Sequence, residues 1–426
     1  MAEHLNSAES VAAGLRALPG IRKAFASTQG AWRFYGNEGV TLEQLAAPLI
    51  AAGREALADT DSRYALIAPD WSHLDYSDPG SKKDRTPLKG KNRWGYELET
   101  ALLLSEQTGA PLSVLCQNLL AADGRQSTRN EEVLPAVSQL EGLSDASRFV
   151  DSCELGKPTV QIADRECDSV GHDRQWQQAQ HCFVVRAKTH RRVKHGGQEK
   201  SVREVVAELY PQQGFRYSRE VEVKGRLAKQ YVAEPSVGIA RPATPHRTRH
   251  GPTPRRVPGA ARALRLVIRR IAEQDGTLVA EWLVWTNVPG GEQPAGVPDT
   301  QIAQWYYWRW QIESVFKLLK SAGHHVEHWQ QETAEAIATR LLVATMACVV
   351  GWQLAGSEEP EANAWRQRLV RLSGRPMKWG RAFTAPALLA GLGILVVMLE
   401  VVEQYDIEEI KRLAGIFFLG PYPLNL

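Results

Sequence analysis

The chain of 426 residues lacks any pattern that would join its five cysteines to one another or to a metal. Cys116, Cys153, Cys167, Cys182 and Cys348 form no CxxC pair and no Cys/His spacing of the zinc type, which excludes a disulfide framework and a structural zinc site. The first residues, Met-Ala-Glu-His-Leu-Asn, lack the basic and apolar regions of a secretory signal. Uninterrupted apolar runs of the roughly 20 residues that cross a bilayer are missing too. Leu341–Leu354 and Ala387–Leu399 come nearest and read as buried helices. No internal repeat is found. The expectation is a cytoplasmic globular protein with no membrane partner.

What is present is an ordinary globular composition, 43% hydrophobic and 23% charged, in a chain too long for one core, so two or three domains are expected. Net charge is only +3, but it is unevenly spread: Arg186–Arg270 holds 21 Lys/Arg against 6 Asp/Glu, a local balance of +15. Such asymmetry points to a polyanionic partner for the middle of the chain.

Residues 1–60 read as helical, with short pieces at Ala12–Arg16 and Ile21–Ala26 and a capped helix over Leu45–Leu57 opened by Thr41-Leu-Glu-Gln. Residues 61–189 turn to strands: Tyr64–Asp70, Tyr96–Leu104, Pro111–Leu120, Thr159–Asp164 and Cys182–Ala187, with helices expected at Asn130–Leu143 and Asp173–Gln180. Residues 190–299 form a basic, β-rich block with strands at Leu264–Ile271 and Leu278–Thr286 around a Pro- and Gly-rich stretch. One helix is expected over Gln301–Ser321, within a segment 300–330. Residues 331–426 read as helical throughout, at Glu332–Leu354, Glu361–Leu372, Ala385–Gln404 and Ile407–Phe417.

The helix at 301–321 has an unusual polar side. At about 100° per residue, Tyr306, Arg309, Glu313, Lys317 and Lys320 share a stripe about 80° wide, opposite an apolar arc that includes Trp305, Ile312 and Phe316. Glu313 and Lys317 also make an i,i+4 pair of the kind that stabilises solvated helices by about 0.2–0.5 kcal/mol. Two further acids, Asp70 and Asp164, each end a predicted strand, although Asp70 also suits a turn cap and Asp75 is an alternative ligand nearby. Three carboxylates with room for water suit Mg²⁺ or Mn²⁺, and a pair of such ions can activate water and stabilise a leaving oxygen at a phosphodiester.

These residues resemble the DDE transposases of the insertion-sequence-four type. That family is marked by Tyr-x2-Arg-x3-Glu-x6-Lys, which Tyr306, Arg309, Glu313 and Lys320 reproduce in every gap. Asp164-Arg165-Glu166-Cys167-Asp168 is similar to its Asp-Arg-Glu-x-Asp segment, and Asp70-Trp71-Ser72-His73-Leu74-Asp75-Tyr76 to its strand-ending first aspartate. The likeness runs in order over roughly residues 25–330, including Trp32-Arg-Phe-Tyr-Gly-Asn and Trp282-Leu-Val-Trp-Thr-Asn.

The resemblance implies an α/β fold with a ribonuclease H-like core, a mixed sheet flanked by helices, interrupted by a β-rich insertion and bordered by helical N- and C-terminal segments. It implies that Asp70, Asp164 and Glu313 bind two Mg²⁺ or Mn²⁺ ions as the catalytic and metal residues. Tyr306, Arg309, Lys317 and Lys320 would contact DNA, with Arg191 and Arg192 of the insertion. The base-stacking tryptophan is Trp282 by local motif or Trp285 by its spacing to Glu313. By their charge alone, and apart from the resemblance, Arg22, Lys23 and Arg33 are candidates for backbone contacts, and Lys82, Lys83, Arg85, Lys89, Lys91 and Arg93 form a basic loop that is either a further set of such contacts or simply solvated. The implied activity is cut-and-paste transposition through a hairpin intermediate, on terminal inverted repeats and target DNA, by a homodimer in a prokaryotic nucleoid. Alternatives are a derived end-binding repressor that does not cut, and a nuclease of the same fold that does not join strands.

Overall fold

A computed structural model describes residues 24–410 and 412, apart from 79–81, 135–137, 210–213, 224, 240–241, 244–256, 260, 293–294 and 378–381. The expected helix Ala12–Arg16, with Arg22 and Lys23, and most of Ile407–Phe417 lie outside the described residues.

Helix α1 (Ala24–Tyr35) and α2 (Leu42–Ala58) lead into the sheet, and α2 starts at the capping box expected at Thr41: its hydroxyl accepts from the Gln44 amide at 3.1 Å. Strands β1 (Ala65–Asp75), β2 (Thr86–Pro87), β3 (Trp94–Leu104) and β4 (Pro111–Leu120) follow, with the short β5 (Arg125–Ser127) and β6 (Asn130–Leu134). After α3 (Gln139–Ser152) come β7 (Thr159–Ala163), α4 (Val170–Gln178) and β8 (Cys182–Arg186). The basic block supplies β9 (Arg192–His195), β10 (Gln198–Ser201), α5 (Val202–Leu209), β11 (Arg216–Val223), β12 (Arg226–Ala233), β13 (Ser236–Ile239), β14 (Arg262–Ala272) and β15 (Leu278–Thr286). Helices α6 (Asp299–Trp308), α7 (Gln311–Lys317), α8 (Ala334–Gly356), α9 (Pro360–Ser373) and α10 (Ala385–Gln404) complete the chain.

All the strands join one mixed sheet. At its centre β4, β3 and β1 are antiparallel neighbours, and β1, β7 and β8 are parallel ones. The β1 side chains alternate between two cores, as the two-residue period of a strand requires. Leu66, Ala68, Leu74 and Tyr76 pack with α6, α7 and α8 on one face, while Ala65 and Ile67 pack with α3 on the other. Strands β7 and β8 lie inside the sheet with a helix-bearing layer on each face, and accordingly are buried and mostly apolar, Gln161 in the middle of β7 being the buried polar exception. Helix α8 is long and apolar enough to cross a membrane, but 67% of its most apolar stretch is buried inside the protein, which makes it a core helix.

Three expectations change. The helix expected at Asn130–Leu143 begins only at Gln139, where Ser138 and Glu141 form a reciprocal capping box, and Asn130–Leu134 is a strand paired with β5. The basic block does not stand apart, because β15 pairs with β8 through Val284↔Arg186, Trp285↔Val185 and Thr286↔Val184. Without β15 the β8 edge would show unpaired amides and carbonyls, and the pairing removes that liability. The helix expected over Gln301–Ser321 is divided: α6 stops at Trp308, α7 starts at Gln311, and Leu318–Ala322 widens into a π turn. At the joint the amides of Arg309, Trp310 and Ile312 bond to carbonyls three residues back, the tighter 3₁₀ pattern.

Candidate active site

Parallel pairing of β1 with β7 runs through Ala65↔Thr159, Leu66↔Val160 and Ile67↔Gln161. Three residues beyond that last pair stand Asp70 on β1 and Asp164 immediately after β7. The two strands then part. The chain after Asp164 turns away through a 3₁₀ turn, Arg165–Cys167, whereas β1 continues to Asp75, so Asp70 lies within the strand rather than at its end. Their divergence opens a cleft of about 220 Å³ lined by Asp70, Trp71, His73, Lys89, Gln139, Asp164, Glu166, Cys167 and Glu313. The three acids expected from the sequence thus share one cavity wall.

Two residues expected on an exposed stripe are instead buried behind these acids. Arg309 is 4% exposed and its Nη1 donates to Asp70 Oδ2 at 2.7 Å, while its Nη2 lies 3.7 Å from Glu313 Oε1. Tyr306 is also 4% exposed, and its hydroxyl donates to Asp164 Oδ1 at 3.3 Å. The helical joint at Arg309 turns the stripe inward at its N-terminal half, which is why wheel geometry for a single helix misplaced them. Burial raises the pKa of Asp70, and Arg309 opposes the rise. Burial likewise opposes the charge on Arg309, but Asp70, Tyr306 and Asp164 outweigh it and raise the guanidinium's pKa. The Tyr306 phenol is pushed up to about 12, first by burial and then by Asp164, so it stays a donor.

The remaining cations divide sharply. Lys317 is exposed, and among the described residues it makes no ion pair, so the expected Glu313–Lys317 pairing is not formed. Lys320 is engaged: its Nζ donates to the His73 carbonyl at 2.6 Å and lies 3.1 Å from Glu327 Oε1. Arg191 sits inside a buried cluster with Asp168 and Asp173, with both acids almost wholly withdrawn from water, and cannot reach a ligand as placed. Arg192 pairs with Glu204 at 2.9 Å and stays partly exposed. In the loop after Asp70, Lys82 is buried and donates to the Trp329 and Gln331 carbonyls, Arg85 donates to the Tyr76 carbonyl, and Arg93 pairs with Asp75 at 2.8 Å. That pairing occupies Asp75, which does not line the cleft. Lys83 pairs with Glu332 on the surface, and Lys89 is the loop cation that reaches the cleft.

Of the two tryptophans, Trp285 is fully buried between the sheet and the Asp168 cluster, with Arg191 above its ring at 5.8 Å. It has no face to offer a base. Trp282 is partly buried, and Arg269 lies between its ring and that of Tyr307, at 5.1 and 5.0 Å.

Sequence reasoning passed over Arg186, at the end of β8, whose Nη1 approaches Asp164 Oδ1 at 3.9 Å. The signal was available, because a charge ending a strand beside β7 obeys the same logic as Asp164. His73, which faces Glu97 Oε2 at 3.4 Å, and Gln139, which donates to the same oxygen at 3.0 Å, were also missed. Their meeting depends on the β1–β3 register His73↔Glu97 and could not be read locally.

The cleft acids present oxygen donors only, the chemistry that Mg²⁺ and Mn²⁺ prefer. Among the described residues no three His, Cys, Asp or Glu side chains are close enough to hold one ion by themselves. Oxygen donors spaced in this way fit only a hard cation that keeps several waters.

No family model and no curated protein matches the chain. Among solved structures it is similar to the cryo-EM structure of the piggyBac transposase synaptic complex with hairpin DNA, at 8% identity and a TM-score of 0.36. The alignment covers 86% of this chain and 59% of that one, so this chain spans less than two thirds of that protein. A likeness this distant assigns neither family nor activity.

Proposed function

We propose that the protein is a metal-dependent DNA-cutting and DNA-joining enzyme, a cut-and-paste transposase of the DDE type with a ribonuclease H-like core. The observation that carries this reading is the equivalent placement of Asp70 and Asp164 past the last β1–β7 pair, with Glu313 on the same cleft. The mixed sheet with helices on both faces supports the fold, and the Tyr306–Lys320 spacing supports the family.

Asp70, Asp164 and Glu313 would hold Mg²⁺ or Mn²⁺, which when bound supplies Lewis acidity and lowers the pKa of water. Arg309 opposes the rise in the Asp70 pKa that burial causes, and its hydrogen bond fixes the direction of the carboxylate. Tyr306 and Arg186 orient Asp164 from the other side. Lys317 and Lys89, both exposed, offer charge to the phosphates flanking the scissile bond, and contacts of this kind set affinity without reading sequence. The DNA 3′-hydroxyl released by cutting would then attack the opposite strand and, after hairpin opening, a target strand. Trp282 is the candidate for stacking on an unpaired base in the hairpin.

The test uses purified full-length protein with end-labelled duplex DNA carrying the element's terminal repeat. Cutting and joining are expected with Mg²⁺ or Mn²⁺ and to vanish in Asp70→Ala, Asp164→Ala and Glu313→Ala. Activity retained by any one of these removes that residue from the site. Cut ends without joined product would identify a nuclease, and tight binding without cutting would identify an end-binding repressor.

A further inference from the structure

Strand β1 loses its neighbour halfway along. A strand shows the N–H and C=O groups of alternate residues to each edge, and the Ala65 amide faces the β7 side, where it donates to the Pro158 carbonyl at 2.9 Å. The β1–β3 register is unbroken from Leu66 to Asp75, so Ile67, Pro69, Trp71, His73 and Asp75 face that same edge. Pairing with β7 ends at Ile67. Beyond it the edge would carry orphan groups, which proteins rarely leave unmatched.

Several groups on this edge have an answer. Pro69 has no N–H to satisfy, and the Trp71 amide donates to Asp70 Oδ1 at 2.9 Å. Further on, Lys320 Nζ donates to the His73 carbonyl at 2.6 Å, and the Asp75 amide donates to Glu327 Oε1 at 2.9 Å. Lys320 and Glu327 themselves pair at 3.1 Å. In a parallel ladder, one residue of the neighbouring strand donates to one carbonyl and accepts from the amide two residues on. The ion pair does the same at His73 and Asp75. Glu327 is carried on the single turn Val326–His328, which is tied to the end of β1 because the Tyr76 hydroxyl donates to the Val326 carbonyl.

We infer that Lys320 and Glu327 act together as a side-chain substitute for the missing stretch of β7, and that Lys320 is a positioning residue for the strand bearing Asp70 rather than a phosphate contact. The purpose is geometric: a strand free on one side can twist or fray, and Asp70 must keep its place relative to Asp164. The cutting readouts below rest on the proposed DNA-cutting activity; the exchange readout does not.

The experiment compares wild type with Lys320→Met, Glu327→Ala, their double variant and Lys320→Arg. Amide exchange over residues 70–77 is expected to rise roughly tenfold in the first two, the worth of one lost hydrogen bond of about 1.4 kcal/mol, with exchange in α8 unchanged. At saturating end DNA the cutting rate is expected to fall roughly ten- to hundredfold, as for a small misplacement of a catalytic group. The double variant should be no worse than either single one, and Lys320→Arg, which keeps a donor and a charge, should restore most of the rate. Affinity for the end, and its slope against salt concentration, should match wild type. Overturning results are a salt slope reduced by about 1 in Lys320→Met, the signature of a lost phosphate contact, or unchanged exchange over 70–77. If wild type cuts no DNA the proposed activity fails, while the exchange data still decide whether the edge substitute exists.

Discussion

Arg309 donates from Nη1 to Asp70 Oδ2 at 2.7 Å, with its own side chain 5% exposed and that of Asp70 19% exposed. A carboxylate raised by burial and a guanidinium short of water each make the other tolerable in its ionised form. Through this pair, the segment joining α6 and α7 is coupled to the middle of β1.

Removing one partner of such a pair leaves the other charge withdrawn from water without compensation. Arg309→Ala is therefore expected to lower stability by about 3 kcal/mol, measured by urea denaturation, and to leave Asp70 protonated to a higher pH. Arg309→Ala combined with Asp70→Asn should recover part of the loss, because no charge is then stranded. A single-variant loss below about 1 kcal/mol, in the range of exposed pairs, would show that water reaches the contact.

The two tryptophans of β15 separate stability from DNA handling. Trp285→Ala should cost about 3–5 kcal/mol as a core cavity, readable as a fall in melting temperature with no DNA present. Trp282→Ala should cost far less in stability, and its effect should appear in the yield of hairpin product. Equal melting temperatures for the two variants would contradict the burial that distinguishes them.

A pH effect follows from the cluster beneath Trp285. Burial pushes Asp173 up to about 7, against the pull of Arg191, so the folded protein holds this proton more tightly than the unfolded chain does. Its contribution to stability is then fully present at acid pH and is lost as pH rises from about 4, the unfolded value, towards about 7. Asp173→Asn should remove that dependence. The difference in urea midpoint between wild type and variant should change across this window and level off above it; a constant difference would show that Asp173 does not titrate there.

Much of this arrangement was legible in the chain, and the illegible part has a common cause. Runs such as Thr159–Ala163, Pro111–Leu120 and Leu278–Thr286 announced themselves as strands because β-branched and apolar residues lie between turn signals, and the Thr41 capping box is a purely local device. Asp70, Asp164 and Glu313 could be singled out because their chemistry is local too. Which cation would be spent inside the fold could not be read. Arg191 and Lys320 look like surface charges until the sheet brings Asp168, Asp173 and the free edge of β1 beside them. A composition of +15 across Arg186–Arg270 thus overstates the charge offered to a polyanion, since Arg191 pairs with Asp168 and Asp173 and Arg216 with Asp299, acids that lie outside that range.

That distinction yields a direct comparison of Lys317 with Arg191, two residues the sequence alone places on DNA. Lys317 lies one helical turn past Glu313, exposed, and among the described residues without an ion pair. A cation that neutralises one phosphate releases about one counterion, so Lys317→Ala should weaken end binding evenly across sequences and reduce the salt slope by about 1. Arg191 faces Asp168 and Asp173 in the interior, and Arg191→Gln should leave the slope at its wild-type value while lowering the melting temperature. Fluorescence anisotropy on labelled end DNA, titrated at several salt concentrations, measures both slopes, and calorimetry measures both melting temperatures. Should the slope fall in Arg191→Gln and hold in Lys317→Ala, the surface that meets DNA is not the one beside Glu313, and the buried cluster must open for binding to occur.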